Sequence, residues 1–182
     1  MIFDDALDDI YVNEHGKCAY IAGAISVHTD NLDMALCNAN VQYEAICSDV
    51  FCVKSCDTEV IKKLLKERLK ARQTLEAEQI AQIDAEVDAL RIVESDMPME
   101  ETIYQFYKDR QDVNHDAISE AIKKYCTYVE YYLKKPKKVY VALGESFDIN
   151  GEIAQTYFWM LFNIVFVESE DYLLLFLHGS DE

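Results

Sequence analysis

Two successive runs near the C-terminus, Thr156–Val167 and Tyr172–Leu177, are apolar at odd and even positions alike. A strand with one wet face alternates apolar and polar residues. A strand apolar on both sides belongs in the middle of a sheet that is covered on both faces. Thr156–Val167 is also rich in aromatic and β-branched residues. The polar stretch Glu168–Asp171 between them reads as a turn. The pair therefore predicts the centre of a covered antiparallel sheet, although Ile153–Phe162 taken alone fits a helix equally well. Neither run reaches the roughly 18 residues of a membrane span, and Asn163 interrupts Tyr157–Val167.

Such a sheet needs more strands. Val139–Ala142 is strand-like, and Asn150-Gly151 is a hairpin turn signal. At the other end, Ile10–Val12, a turn at Asn13–Gly16 and Lys17–Val27 predict a β-hairpin. Asp30 is placed to cap a short helix carrying Leu32, Ala35, Leu36 and Ala39. Residues 41–54 carry both periods: Tyr43, Ile46 and Val50 at helical spacing, and Val50–Val53 as a strand.

The middle of the chain is helical. Asp57 or Thr58 caps a helix reaching about Glu94, free of Gly and Pro, with Ile80, Ile83, Val87 and Leu90 stepping 3-4-3 as a short coiled-coil seam. The seam predicts a helical hairpin within the chain, or a helix-mediated dimer in place of a monomer. Asp96 caps the next helix with Pro98 in its first turn, and Ile103, Phe106 and Tyr107 on one face. After a break at Asp112–His115, Asp116 caps a third helix with Ile118, Ile122, Tyr125, Val129 and Leu133 in a stripe, and Pro136 ends it. The expected architecture is one α+β domain over 1–182. It is β-rich at 1–54 and 139–182, with a helical insertion at 58–134 covering one antiparallel-rich sheet built from both chain ends.

Charge follows the same division. The chain has 17 basic and 34 acidic residues, a net of −17. Residues 1–61 hold 2 basic and 11 acidic residues, residues 62–138 hold 15 of each, and residues 139–182 hold 8 acidic residues and no base. The surplus lies wholly in the two ends. A field of this sign repels free nucleic acid and anionic membrane and attracts basic protein surfaces. A hydrophobic fraction of 51% excludes a disordered acidic tail. The opening Met-Ile-Phe-Asp-Asp lacks a basic region, so no signal peptide is expected, the location is expected to be the host cell cytoplasm, and the six cysteines are read as thiols.

No motif carries catalysis. Cys47, Cys52 and Cys56, with Cys18, His28 and Cys37 upstream, lack the paired knuckle spacing of a zinc site and read as small buried hydrophobes. Asp112, Asn114, His115 and Asp116 could hold a divalent ion or a general base, but helix capping accounts for them. The histidines His15, His28, His115 and His178 stand in no nucleophile signature. The segment Gly144-Glu145-Ser146 reads as a loop. Lys62, Lys66, Arg68, Lys70 and Arg72 on the long helix would offer a weak nucleic-acid contact if they converged, against an opposing background charge. No cofactor or metal is expected.

In size, acidity and lack of motifs, the chain resembles the small acidic inhibitors that phages and mobile elements encode against nucleic-acid enzymes, anti-CRISPR proteins in particular. That resemblance implies a non-enzymatic protein that binds a basic, nucleic-acid-handling nuclease and blocks its access to DNA or RNA. The alternatives are a toxin-neutralising immunity protein and a metal-dependent nuclease around His115. The expected partner-binding residues are the carboxylates clustered in turns and at termini: Asp4, Asp5, Asp8, Asp9, Glu145, Asp148, Glu152, Glu168, Glu170 and Asp171.

Overall fold

A computed structural model describes residues 14–53, 56–71, 74–134, 136, 138–143 and 160–180. Five strands, β1 (Glu44–Cys52), β2 (Arg91–Glu94), β3 (Lys138–Leu143), β4 (Met160–Glu168) and β5 (Tyr172–Ser180), form one sheet in the order β1-β5-β4-β3-β2. Every pairing is antiparallel. The helices are α1 (Glu14–Asn38), α2 (Thr58–Lys70), α3 (Ala77–Ala89), α4 (Met99–Tyr104) and α5 (His115–Leu133). The fold is α+β, with strands from both ends of the chain in one sheet.

The two-sided apolar runs do what their pattern requires. From Tyr172 to Leu177 every residue of β5 is buried. Tyr172, Leu174 and Phe176 enter one core, beneath α1, α4 and α5. Leu173, Leu175 and Leu177 enter the other, beneath α2 and α3. At about 1.5–3 kcal/mol for each fully buried large apolar side chain, this strand alone makes an uncovered sheet face untenable. The result is a three-layer stack with helices on both faces. Among the described residues, no helix is long and apolar enough to cross a membrane.

The N-terminal hairpin expected over 10–27 is absent where the structure describes it: residues 14–27 belong to α1. Ile21, Ile25, Leu32 and Leu36 recur at helical spacing and are all buried, and this stripe overrides the local β-branched content. Gly16 therefore sits in the first turn of a helix, and Asp30 lies mid-helix and exposed instead of capping one. Residues 10–13 and the Asn150-Gly151 turn lie outside the described residues. The strand that brings the N-terminal part into the sheet is β1, the segment whose period was ambiguous. It pairs with β5 over its whole length, from Glu44 opposite Ser180 to Cys52 opposite Tyr172.

The single helix expected to reach Glu94 is two helices and a strand. A straight helix of that length would run about 55 Å, whereas a nine-residue strand spans about 30 Å. The chain therefore folds back so that Ile61, Leu65 and Leu69 of α2 and Ile83 and Val87 of α3 reach the same sheet face. A capping box restarts the helix, with the backbone N–H of Glu76 donating to Gln79 Oε1 at 2.8 Å. Ile83 is 0% exposed and Val87 and Leu90 are buried, but Ile80 is 38% exposed, so the seam is shorter than its spacing suggested. It packs on the chain's own α2, and Arg91–Glu94 leave it to pair with β3 at the sheet edge.

Capping also shifts by a residue or two. Pro98, not Asp96, occupies the cap position of α4. Asn114, not Asp116, caps α5, accepting from the Ala117 N–H at 3.1 Å. The stripe Ile118, Ile122, Tyr125, Val129 and Leu133 is buried throughout.

Candidate functional site: the acidic end of the sheet

The cysteines weighed as metal ligands come apart in three dimensions. Cys47 and Cys52 are five positions apart on one strand, so they project to opposite faces. Cys47 packs against the α2–α3 core and Cys52 against the other. No disulfide joins any of the six cysteines. Among the described residues, no group of three or more His, Cys, Asp or Glu side chains converges as a metal site. His115 has both ring nitrogens engaged. Nε2 meets the Arg110 carbonyl at 2.8 Å, so Nε2 carries the proton, and Nδ1 accepts from the Tyr104 hydroxyl at 3.0 Å. No lone pair is left for an ion or a proton acceptor role. His28 stacks on Tyr128 with ring centroids 3.7 Å apart.

His178, near the end of β5, is a buried histidine that the sequence left unassigned. Its register neighbour on β4 is Asn163, whose amide donates to Nδ1 at 3.0 Å, while Nε2 donates to Glu44 Oε2 at 3.0 Å. Phe106 stacks on one side of the ring and Tyr107 meets it edge-on. Burial depresses the imidazole to about 4, and the Arg110 guanidinium adds to the effect. Glu44 would favour the imidazolium, but its other oxygen is paired with Arg110, which offsets that pull. The group is a neutral buried tie between β1, β4, β5 and the segment after α4.

Several bases of the helical middle are paired with carboxylates of the chain itself. Arg68 of α2 grips Asp49 of β1 through two parallel hydrogen bonds. Lys66 pairs with Asp88 at 2.6 Å, Lys70 pairs with Asp84, and Lys62 donates to the Asp88 carbonyl at 2.9 Å. A phosphate would have to break these contacts, so the α2 cluster is not an open cationic patch. Arg72 lies outside the described residues. The helical middle is also less self-contained than its zero net charge suggests, since Arg68 and Arg110 reach out to Asp49 and Glu44 of β1.

Carboxylates gather at the end of the sheet where β4 turns into β5. Glu170 and Asp171 are exposed in that turn, and the Asp171 carbonyl receives the Val53 N–H just past β1 at 3.1 Å. Glu168, half-exposed, accepts from the Tyr140 hydroxyl at 3.2 Å. Asp57 caps α2 beside it, accepting from the Val60 N–H at 2.8 Å. Two neutral acids register the field. Cys56 is pushed up to about 11 by burial and then by Glu168 and Asp57. Tyr140 is pushed up to about 12 by burial, then by Glu168, with Glu94 contributing. Lys138 stands 3.9 Å from Glu94 at the same end.

Of the residues expected to bind a partner, Glu168, Glu170 and Asp171 are thus brought together. Asp4, Asp5, Asp8, Asp9, Glu145, Asp148 and Glu152 lie outside the described residues, as do Lys135 and Lys137 and the whole of Lys54. Sequence reasoning missed Asp57 and Glu94. Their signal was weak: one was read only as a cap and the other as a helix end.

This chain is similar to citrus MAF1. One crystal form of that protein overlaps with a TM-score of 0.43 at 12% identity, covering 85% of this chain and 99% of the other. A second crystal form gives 0.38 at 13% identity, covering 85% and 98%. No family model and no curated protein sequence matches the chain.

Proposed function

We propose that this protein is a non-enzymatic acidic binding protein that occupies the nucleic-acid site of a basic, nucleic-acid-handling protein. The observation that carries this reading is the gathering of Asp57, Glu168, Glu170 and Asp171 at one end of the sheet, where Glu94 is paired with Lys138. Carboxylates carried on a folded sheet present charge to a lysine- and arginine-rich channel at a lower ordering cost than a disordered acidic segment. Pairing of Lys66, Arg68, Lys70 and Arg110 within the chain supports it, because those cations are already engaged with other carboxylates. The engagement of both His115 nitrogens weighs against a nuclease centred there.

The experiment is affinity capture from a host lysate, washed at graded salt, followed by reconstitution. The purified partner is loaded with labelled DNA or RNA and titrated with this protein. Displacement of intact nucleic acid, weakening as salt rises, is the expected result. A stable ternary complex, or cleavage of the labelled strand in the presence of Mg2+ or Mn2+ by this protein alone, would overturn the reading.

A further inference from the structure

Cys18, in the early turns of α1, and Cys52, the last residue of β1, lie against each other across the helix–sheet boundary. Cys18 Sγ stands 3.7 Å from the Val50 carbonyl oxygen. Val50 and Cys52 are two positions apart on a strand, so they project to the same face. That face carries the core containing Ile21 and Ile25 of α1, and both thiols pack against it. Cys52, through its thiol and its backbone N–H, acts on the Cys18 thiol. Both thiols are half-buried. The other cysteines are placed elsewhere: Cys37 is exposed on α1, Cys126 is buried on α5, and Cys47 and Cys56 belong to the opposite core.

We propose that Cys18 and Cys52 are a redox modification site that closes to a reversible disulfide by exchange with a small disulfide such as glutathione disulfide. One cysteine thiolate attacks a sulfur of glutathione disulfide, expelling one glutathione thiolate and leaving a mixed disulfide on the protein. The second cysteine, deprotonated by solvent, attacks the protein sulfur of that mixed disulfide and expels the second glutathione. Two protein thiols are oxidised, one small disulfide is reduced, and the two protons end on the two departing glutathiones. Burial, with Cys52 next in effect, pushes the Cys18 thiol up to about 12, so exchange accelerates as pH rises from 7 to 9. The bond fastens the beginning of α1 to the end of β1. It requires no partner protein and stands whether or not the binding reading holds.

The test uses the full chain carrying Cys37→Ser, which removes the exposed thiol and with it most intermolecular coupling. Reduced protein is freed of reductant, incubated with glutathione disulfide at pH 7, 8 and 9, and alkylated in denaturant. The expected product is a monomer that has lost two alkylatable thiols, with one peptide pair joined through Cys18 and Cys52, forming faster at each higher pH. Adding Cys18→Ser or Cys52→Ser should stop the reaction at a single glutathione adduct. Retention of all five remaining thiols, a different joined pair, or adducts that never resolve in the parent protein would overturn the proposal. The peptide linkage is read in the Cys37→Ser protein itself, so a serine variant that fails to fold leaves the decision unaffected.

Discussion

His178 donates through Nε2 to Glu44 Oε2 at 3.0 Å and so ties the last strand to the first. Its side chain is only 3% exposed, and the pocket of Glu44, Arg110, Asn163, Phe106 and Tyr107 holds it neutral. Its pKa is lowered in the folded chain from 6.5 to about 4, so the unfolded chain binds the extra proton between those values. Stability is therefore full above about pH 6.5 and falls as pH drops toward 4, by up to about 3 kcal/mol from this group. Urea unfolding at pH 7.5 and 4.5 checks it. The parent protein should lose about 2 kcal/mol or more beyond what His178→Gln loses over the same interval. Parallel losses would mean that His178 titrates normally.

Arg68 and Asp49 predict a second outcome. Their side chains are 18% and 17% exposed and joined in a two-bond fork between α2 and β1. Arg68→Ala strands a carboxylate against the sheet and should cost about 2 kcal/mol, less than a fully buried pair because some solvent reaches it. Arg68→Lys keeps the charge but not the fork and should fall between. The double variant Arg68→Ala/Asp49→Ala should recover part of the loss. Lys66→Ala, at an exposed pair, should leave the unfolding midpoint unchanged within error. Thermal or chemical melts of the four variants decide it.

The orientation of α3 makes a third prediction. Ile83 is fully buried against α2 and the sheet, whereas Ile80 faces outward. Ile83→Asp buries an unpaired charge and should cost roughly 4 kcal/mol or unfold the chain. Ile80→Asp should change stability by no more than about 0.5 kcal/mol. Equal effects from the two would mean that the seam is turned differently.

These residues also mark how far the sequence was legible. The centre of the sheet was readable because Tyr172–Leu177 and the end of the preceding run are apolar on both sides and a short polar turn separates them. The α5 stripe was readable because five buried positions keep one period. The hairpin over 10–27 was misread because a local Asn–Gly turn signal outweighed the helical recurrence of Ile21, Ile25, Leu32 and Leu36. The break between α2 and α3 carries neither Gly nor Pro. It is imposed by the width of the sheet, a tertiary constraint, and its local trace is only Glu76 with Gln79. Charge was legible as a sum, but its placement was not. That Arg68 and Arg110 serve β1 acids, and that Asp57 and Glu94 join Glu168 at one end, depends on strand order.

The most direct test of the carboxylate account neutralises the acids in three separate proteins and measures association with the captured partner across ionic strength. One carries Asp4, Asp5, Asp8 and Asp9 as Asn, the second carries Glu145→Gln, Asp148→Asn and Glu152→Gln, and the third carries Glu170→Gln and Asp171→Asn. Glu168 is kept, since it accepts from Tyr140. Because the Debye length shrinks from about 10 Å at 0.1 M salt to about 3 Å at 1 M, surface carboxylates at an interface steer association most strongly at low salt. The account predicts that the third protein associates several-fold more slowly than the parent at low salt, that its rate depends less steeply on salt, and that the difference vanishes near 1 M. An unchanged rate and an unchanged salt slope in the third protein would contradict it.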